Sequence, residues 1–452
     1  MNPFRLSPLR NAPARSSSFQ RRIAVVVAVF AAIGMLWSVA APAQAQQELK
    51  VGVVVFLSGP AAGPFGIPAQ NGSQLVVDAI NAGTLPAPYN TGKGIAGMHV
   101  TPVFIDEAGG TAKQVEEYRN LVQRQGVNVV VGYISSGDCL AVAPVAEEMK
   151  TLTVLGDCGT PRVFEDADYH YVFRSRPHAT MDNVSAARYL LDIKPELKTY
   201  AGINQNYAWG QDSWNDFNAA MKTLQPEAKV TSEQFPKLFA GQFSSEISAL
   251  LLTRSDAIHS SLWGGDLESF VFQATARGLD KRSLLVFTAG EPYMFRLGKA
   301  LPDGVIIGAR GPYGLFAHST PLNNWFRTEY QKRFEVPPVY ASYVLGQSFL
   351  ALKKAYESAM KANGGKAPNQ EQVIKAMEYM EYEAFGSTIK MGLGKGHQAV
   401  SEAAVGRFKF DEAKGESMLV DIKYYAAECV NPPDGVNSVD WILGGMKGAK
   451  CN

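Results

Sequence analysis

Residues 49–60 read LKVGVVVFLSGP, an apolar run that continues to Leu57 and is followed at once by Ser58, Gly59 and Pro60. Short apolar runs bounded by turn residues are typical of strands that are buried on both faces of a parallel sheet. Serine, glycine and proline favour a loop, and glycine lets the backbone approach a ligand closely. This stretch therefore predicts a first buried strand that leads into a binding loop.

The same pattern recurs along the chain, and the fold class follows from it. Further apolar runs of strand length are His99–Ile105, Val127–Val131, Leu152–Leu155, Thr199–Ile203, Ala257–Trp263, Leu284–Phe287 and Gly304–Gly308. Helical patterns lie between them at Gln70–Asn81, Ala112–Gln125, Leu140–Met149, Met181–Leu191, Ser213–Leu224, Ser244–Leu252 and Leu267–Arg277. Beyond Pro321 we predict the helices Asn323–Phe334, Tyr343–Ala362 and Gln370–Met380, and then the paired strands Gly406–Phe410 and Met418–Tyr425. Alternating strands and helices predict an α/β chain of doubly wound parallel sheets. About 400 residues are too many for one ordinary domain, so we expect two lobes.

Residues 1–45 have the organisation of a signal peptide. Arg21 and Arg22 precede the apolar stretch Ile23–Ala40, and Ala43-Gln44-Ala45 is a small-residue cleavage site. A membrane anchor is the alternative, but no second apolar run of spanning length follows. We predict cleavage after about Ala45, export to the periplasm and no stable membrane insertion afterwards.

The charge of the mature chain excludes two classes of partner. The leader holds five of the 43 basic residues and none of the 42 acidic ones, so the mature chain has four more acidic than basic residues. Nucleic-acid binding needs a clustered basic face, and attraction to a membrane surface needs a polybasic patch. The sequence contains neither, so we expect no nucleic-acid partner.

Four cysteines in an exported chain favour disulfides over free thiols. Cys139 and Cys158 each follow a predicted strand, while Cys429 and Cys451 bracket the C-terminal tail. We predict the pairs Cys139–Cys158 and Cys429–Cys451, although four cysteines allow three pairings. A metal site is the competing idea, but C-x-x-C spacing is missing and the six histidines are scattered, so we predict no metal.

The candidate ligand-binding residues lie in the loops that follow the predicted strands, because open parallel sheets bind ligands beyond the carboxyl ends of their strands. Serine and threonine hydroxyls beside free amides can donate to a carboxylate, although they can equally cap a helix. Tryptophans beside glycines suit pocket walls, and a loop acid can accept an ammonium or simply be solvated. The candidates are Phe65, Tyr133, Ser135, Ser136, Asp157, Gly159, Thr160, Trp209, Trp263 and Glu291.

Catalysis receives little support from the motifs. The sequence has no Gly-x-Ser-x-Gly elbow, no His-Glu-x-x-His and no Walker A loop. An enzyme would need an activated nucleophile or a metal. We therefore predict a protein that is not an enzyme and has no cofactor.

Several segments in a specific order resemble the periplasmic leucine/isoleucine/valine-binding proteins of ABC importers. They are LKVGVVVFLSGPAAGPFG (49–66), NGSQLVVDAINA (71–82), VVVGYISSGDCLAVAPVAEE (129–148), NYAWGQDSWNDF (206–217) and AGEPYM (289–294). The resemblance implies a type I periplasmic binding fold, in which two Rossmann-like lobes joined by three crossovers close on a small ligand. It also implies an ABC permease in the inner membrane as the partner, and a monomer suits docking by both lobes.

The resemblance places the lobe boundaries as well. The crossovers fall near Arg174–His178, Ala309–Pro312 and Phe385–Ile389. The first lobe is then residues 48–176 with 312–386, and the second is 177–311 with 387–452.

By the same resemblance, a ligand carboxylate would be held at Ser136, with Ser135 flanking, and at Gly159 or Thr160. Phe65, Trp209 and Trp263 would form an aromatic clamp, and Glu291 would pair with the ligand's amino group. Asp157 departs from the family pattern, which has a small neutral residue there, and a desolvated carboxylate would repel a ligand carboxylate by several kcal/mol.

Two ligand classes and two roles therefore stay open. The ligand is a small amino acid or a related compound, or else an aromatic carboxylate or amide that stacks on Phe65, Tyr133, Trp209 and Trp263. A ligand-sensing subunit of a membrane receptor is the alternative to an importer.

Overall fold

The computed structural model describes residues 47–451. The predicted leader and its cleavage after Ala45 lie outside the described residues. Within the described range, no helix combines the length and the apolar character that crossing a bilayer requires.

Strands and helices alternate through most of the chain. The strands are β1 (Glu48–Val55), β2 (His99–Asp106), β3 (Val129–Gly132), β4 (Thr153–Leu155), β5 (Val172–Arg174), β6 (Thr199–Ile203), β7 (Lys229–Gln234), β8 (Ala257–Ser260), β9 (Leu284–Phe287), β10 (Ile306–Gly308), β11 (Glu381–Glu383), β12 (Thr388–Leu393), β13 (Gln398–Val400), β14 (Ala403–Asp411) and β15 (Glu416–Tyr425). The helices are α1 (Ile67–Ala82), α2 (Thr111–Gln123), α3 (Ser136–Glu148), α4 (Arg162–Glu165), α5 (Ala179–Ile193), α6 (Ala208–Leu224), α7 (Ser244–Thr253), α8 (Gly265–Ala276), α9 (Tyr293–Leu297), α10 (Pro321–Phe334), α11 (Tyr340–Ala362), α12 (Gln370–Met377), α13 (Ala427–Val430) and α14 (Ser438–Leu443). A short π-helical turn, Ala62–Gly66, precedes α1.

The strands form two sheets. The eight-stranded sheet has the order β11-β12-β13-β5-β4-β3-β1-β2, and the seven-stranded sheet has the order β15-β14-β10-β9-β8-β6-β7. β1 to β5 run parallel in the first sheet, and β6 to β10 run parallel in the second. Each sheet ends in antiparallel strands from the C-terminal part of the chain. We call the eight-stranded sheet with α1–α4 and α10–α12 the first lobe, and the seven-stranded sheet with α5–α9, α13 and α14 the second lobe.

The predicted α/β class, with two doubly wound lobes, is confirmed. Every predicted strand and helix is present, with small shifts at the ends. Val51, Val53, Val54 and Val55 of β1 are all fully buried, as expected of a strand covered by helices on both faces. β5, β7 and the β11–β13 group are additional strands that the apolar pattern did not predict.

The third crossing between the lobes lies elsewhere than predicted. β12 and β13 pair with each other, and β13 pairs with β5, so residues 388–400 belong to the eight-stranded sheet. The chain therefore passes to the second lobe at Ser401–Glu402 and not at Phe385–Ile389. The other two passages follow β5 and β10.

Both predicted disulfides are present. Cys139–Cys158 joins the first turn of α3 to the loop after β4, and Cys429–Cys451 closes the C-terminal tail. The first of these fixes two neighbouring loops at the carboxyl edge of the eight-stranded sheet.

Candidate functional site

A small cavity lies between the carboxyl edges of the two sheets. Its lining comes from both lobes and from the passage after β10. The lining residues are Phe65, Ile134, Asp157, Gly159, Tyr207, Trp209, Trp263, Ala289, Arg310 and Tyr340. The structure thus brings together Phe65, Asp157, Gly159, Trp209 and Trp263 of the predicted residues, at the edge where open parallel sheets bind ligands.

Trp263 forms the centre of the aromatic wall. Its ring meets Phe65 edge-to-face, with ring centroids 5.4 Å apart, and also contacts Phe239 (5.3 Å) and Phe56 (5.7 Å). Offset and edge-to-face pairs of this kind fix ring orientation. Burial raises the pKa of Tyr207 well above its usual range, and the Trp263 indole N–H beside the Tyr207 hydroxyl opposes that shift.

Trp209 closes the cavity from the second lobe. Its Nε1 donates to the carbonyl oxygen of Ser261 at 2.8 Å, which holds the indole in place. The ring lies against Gly159 of the first lobe, where a Cβ would come within 2.1 Å of the ring. Only glycine therefore allows the two lobes to approach this closely at Gly159.

Arg310 lies at the base of the cavity and pairs with two buried acids. Its Nη1 donates to Asp157 Oδ1 at 2.8 Å, and its Nε donates to Asp182 Oδ2 at 3.0 Å. Arg310 also lies over the Trp209 ring, 4.8 Å from its centroid. Arg176 is a second buried guanidinium, with its Nε 3.9 Å from Asp157 Oδ1. The negative charge of Asp157 is therefore already matched inside the protein.

The ionisation of this cluster reflects burial opposed by ion pairing. Burial raises the pKa of Asp157, while Arg310 and Arg176 oppose that shift. Burial also raises the pKa of Asp182, to about 6, against the effect of Arg310. Burial disfavours the charged guanidinium of Arg310, but Asp157 and Asp182 together raise its pKa, so it stays a cation.

The loop after β3 is held by Glu107. The backbone N–H of Ile134 donates to both carboxylate oxygens of Glu107 (2.8 and 3.0 Å), and that of Ser135 donates to Oε1 at 2.8 Å. Glu107 is fully buried, and burial together with nearby Asp138 raises its pKa well above the usual range. The backbone amides that precede α3 are thus already hydrogen-bonded to the Glu107 side chain.

A family model for periplasmic binding proteins matches residues 48–416. The chain belongs to this family. Leu/Ile/Val-binding protein homolog 6 of Brucella abortus (strain 2308) is 23% identical over 349 residues, which are 76% of this chain and 84% of the relative. The family resemblance seen in the sequence is thus confirmed.

Solved periplasmic binding proteins share the fold. A solute-binding protein of an ABC transporter from R. palustris, in complex with benzoate, superposes with a TM-score of 0.70 at 19% identity, covering 86% of this chain and 99% of that one. A leucine-binding protein from Thermotoga maritima has a TM-score of 0.67 at 17% identity, covering 83% of this chain and 98% of that one.

Several residues to which the family resemblance gave ligand contacts lie outside the cavity lining of this periplasmic binding protein. Ser136 Oγ accepts hydrogen bonds from the backbone N–H of Gly159 (3.1 Å) and Thr160 (3.2 Å), so it ties together the loops after β3 and β4. Thr160 Oγ1 donates to Asp212 Oδ2 of the second lobe at 2.5 Å. Ser135 precedes α3 and makes no capping bond with its side chain. The Ser136 and Thr160 hydroxyls therefore organise the loops and the contact between the lobes.

Glu291 and Tyr133 also lie outside the cavity lining. The carboxylate of Glu291 accepts the backbone N–H of Tyr340 at 2.7 Å and that of Leu315 at 3.3 Å, and it is fully buried. Burial raises its pKa to about 8. Glu291 therefore connects the loop after β9 to the start of α11 by a hydrogen bond. Tyr133 packs in the hydrophobic cluster around Cys139 and Cys158.

The cavity contains residues that the sequence did not single out. Ile134, Tyr207 and Ala289 each lie one or two residues from a candidate along the sequence. Arg310 lies in the predicted second crossover. No motif in the sequence marks this single arginine as a cavity residue. Tyr340 begins α11, far along the chain from every strand of the parallel sheets.

Proposed function

We propose that this protein is the exported solute-binding component of an ABC importer of the branched-chain amino-acid type. It captures a small organic ligand between its lobes and presents the closed form to a permease in the inner membrane. The observation that carries the proposal is the cavity itself, whose walls come from both lobes at the carboxyl edges of two parallel sheets. Family membership supports the same role.

Hinge closure is the mechanism that this arrangement favours. Thr160 of the first lobe bonds Asp212 of the second, and Ser438 N–H donates to Glu165 Oε1 at 2.9 Å across the lobes. These contacts can form only when the lobes meet. A ligand that touches both walls has higher affinity for the closed form and shifts the population toward it.

The proposed ligand is a small amino acid or a related compound, and an aromatic carboxylate or amide is the second candidate. Phe65, Tyr207, Trp209, Trp263 and Tyr340 make half of the cavity wall aromatic, which favours a flat ligand. The structural relatives include a protein bound to benzoate and a leucine-binding protein, so both classes occur on this fold.

A thermal-shift panel on the purified protein tests the proposal. It would contain aliphatic amino acids, aromatic amino acids, aromatic carboxylates and short amides. A ligand at about a hundred times its Kd adds roughly 2.7 kcal/mol of stability, a shift that is easily measured. If no small molecule of any class stabilised the protein, the solute-binding role would be refuted.

Trp209→Ala provides the site-specific test. Removing this wall should weaken the best ligand of the panel tenfold or more, which is roughly 1.4 kcal/mol. Unchanged affinity in isothermal titration would place the ligand elsewhere.

A further inference from the structure

We infer that the C-terminal tail, residues 426–451, is a strap that holds the two lobes together in the closed form. The tail grips the first lobe through the side chain of Glu165, which is thereby a positioning residue for ligand capture. The inference rests on the hinge closure of the proposed function. It adds a segment outside the ligand cavity that sets how strongly the protein closes.

The tail is anchored in the second lobe. Cys429, Trp441 and Ile442 are buried in a hydrophobic cluster that they share with α5 and α6. The Thr223 hydroxyl of α6 donates to the Ile442 carbonyl oxygen at 2.9 Å, and the Cys429–Cys451 disulfide closes the tail into a loop. We therefore expect the tail to move with the second lobe as one body.

The middle of the tail bonds the first lobe at α4. Asn437 Nδ2 donates to Glu165 Oε2 at 2.8 Å, and the backbone N–H of Ser438 donates to Glu165 Oε1 at 2.9 Å. The Ser438 hydroxyl donates to the same oxygen. One carboxylate of the first lobe thus accepts three hydrogen bonds from the second. Hydrogen bonds to an ionised group are roughly twice as strong as those between neutral groups.

Two further contacts join the lobes beside this one. The backbone N–H of Lys395, in the turn between β12 and β13, donates to Asp434 Oδ1 of the tail at 3.3 Å. On α4 itself, Arg162 Nε donates to Asp212 Oδ2 of α6 at 3.3 Å. Two separate segments of the second lobe, α6 and the tail, therefore bond the same short helix of the first lobe.

The tail can change ligand affinity without touching the ligand. Glu165, Asn437 and Ser438 do not line the cavity between the sheets. A ligand that binds only the closed form has an apparent affinity that is reduced by the fraction of molecules that are closed. Bonds between the lobes outside the cavity raise that fraction. The tail also lies outside the range that the family model matches, which ends at residue 416.

Reversing the polarity of one bond tests the strap. Glu165→Gln replaces an acceptor with a donor that faces the Asn437 amide. Asn437→Asp places a carboxylate against Glu165, while its other oxygen still accepts the backbone N–H groups of Val439 and Asp440. In the double variant the new amide donates to the new carboxylate, so the bond between the lobes is restored in the opposite direction.

Isothermal titration with the tightest-binding compound of the thermal-shift panel is the readout. Each single variant should weaken the affinity about tenfold, and the double variant should bind within about threefold of the unaltered protein. Glu371→Gln is the matched control, because the Glu371 carboxylate also bonds two side chains, those of His170 and Tyr171, but all three residues belong to the first lobe. It should bind like the unaltered protein.

The outcomes separate the strap from the proposed function. Unchanged affinity in both single variants, or a double variant that binds no more tightly than they do, overturns the strap and leaves the solute-binding role intact. A role in folding alone would lower the unfolding midpoint of the single variants without changing their affinity, which also overturns the strap. So would an equal loss of affinity in Glu371→Gln. If no compound of the panel binds the unaltered protein, the proposed function and the strap both fall.

Discussion

Gly159→Ala is the sharpest single test of how the two lobes meet. Gly159 belongs to the first lobe, and a Cβ there would lie 2.1 and 2.4 Å from Trp209 ring carbons of the second lobe and 2.9 Å from Arg310 Nη2. Carbon atoms in contact prefer a separation of about 3.5–4.0 Å. The Trp209 ring would therefore have to retreat by roughly 1 Å or more, and widening the cleft is the simplest way to do so.

The magnitude follows from the cost of overpacking. An inserted methyl group in a packed interior typically costs about 1–3 kcal/mol. Because the clash exists only when the lobes are together, this cost opposes closure and leaves each lobe intact. The affinity of the best ligand should fall about 5- to 150-fold, since each 1.4 kcal/mol is a factor of ten.

Gly137→Ala is the matched control. Gly137 lies in the first turn of α3, and a Cβ there would have its nearest neighbours at 3.6 to 3.8 Å, which is ordinary contact. Alanine is also the better helix former by up to about 1 kcal/mol. Isothermal titration should show unchanged affinity, and small-angle scattering should show ligand-induced compaction as in the unaltered protein. If Gly159→Ala behaved in the same way, the contact between Gly159 and Trp209 would not limit closure and the reasoning would be refuted.

Three further predictions follow from the buried charges and the disulfide. Asp157→Asn removes a negative charge beside Arg310, so isothermal titration should show several-fold tighter binding if the ligand is a carboxylate. Weaker binding of the ligand would instead indicate that it carries an amine. Burial raises the pKa of Glu291 from 4.5 to about 8, so the folded protein keeps a proton that the unfolded chain loses. Between pH 5 and 8 this group should lower the free energy of unfolding by about 1.4 kcal/mol per pH unit, and urea titrations should show a shallower decline for Glu291→Gln; equal slopes would contradict the shift. Replacing Cys139 and Cys158 with alanine should cost about 3 kcal/mol of stability in the same titrations and weaken ligand binding, whereas a purely local role would change stability alone.

Most parallel strands of both sheets could be predicted from the sequence alone. Strands such as β1 and β9 must be apolar on both faces because helices cover each side, and that requirement leaves an unmistakable run of residues. β7, with the sequence KVTSEQ, is an edge strand with no fully buried residue, so it carries no such run. β11 to β13 are three to six residues long, and the third crossing was misplaced because their pairing with β5 is a long-range contact.

The position of the cavity was predictable for a related reason. Phe65, Gly159, Trp209 and Trp263 follow strand ends, and the carboxyl edges of parallel strands gather such residues whatever their role. Their bonding partners were not predictable, because hydrogen-bond partners are set by the tertiary fold. Glu107 is 27 residues from Ile134, and Arg310 is 153 residues from Asp157.

Those distant partners change what the site can bind. A serine pair next to free amides is a carboxylate site in isolation, but Glu107 fills those amides with an acid that the chain carries itself. Asp157 would repel a ligand carboxylate in isolation, but two buried guanidinium groups reverse the local field. Since Arg310 also binds an acid of each lobe, Asp157 and Asp182, the same side chain links the charge of the site to the contact between the lobes.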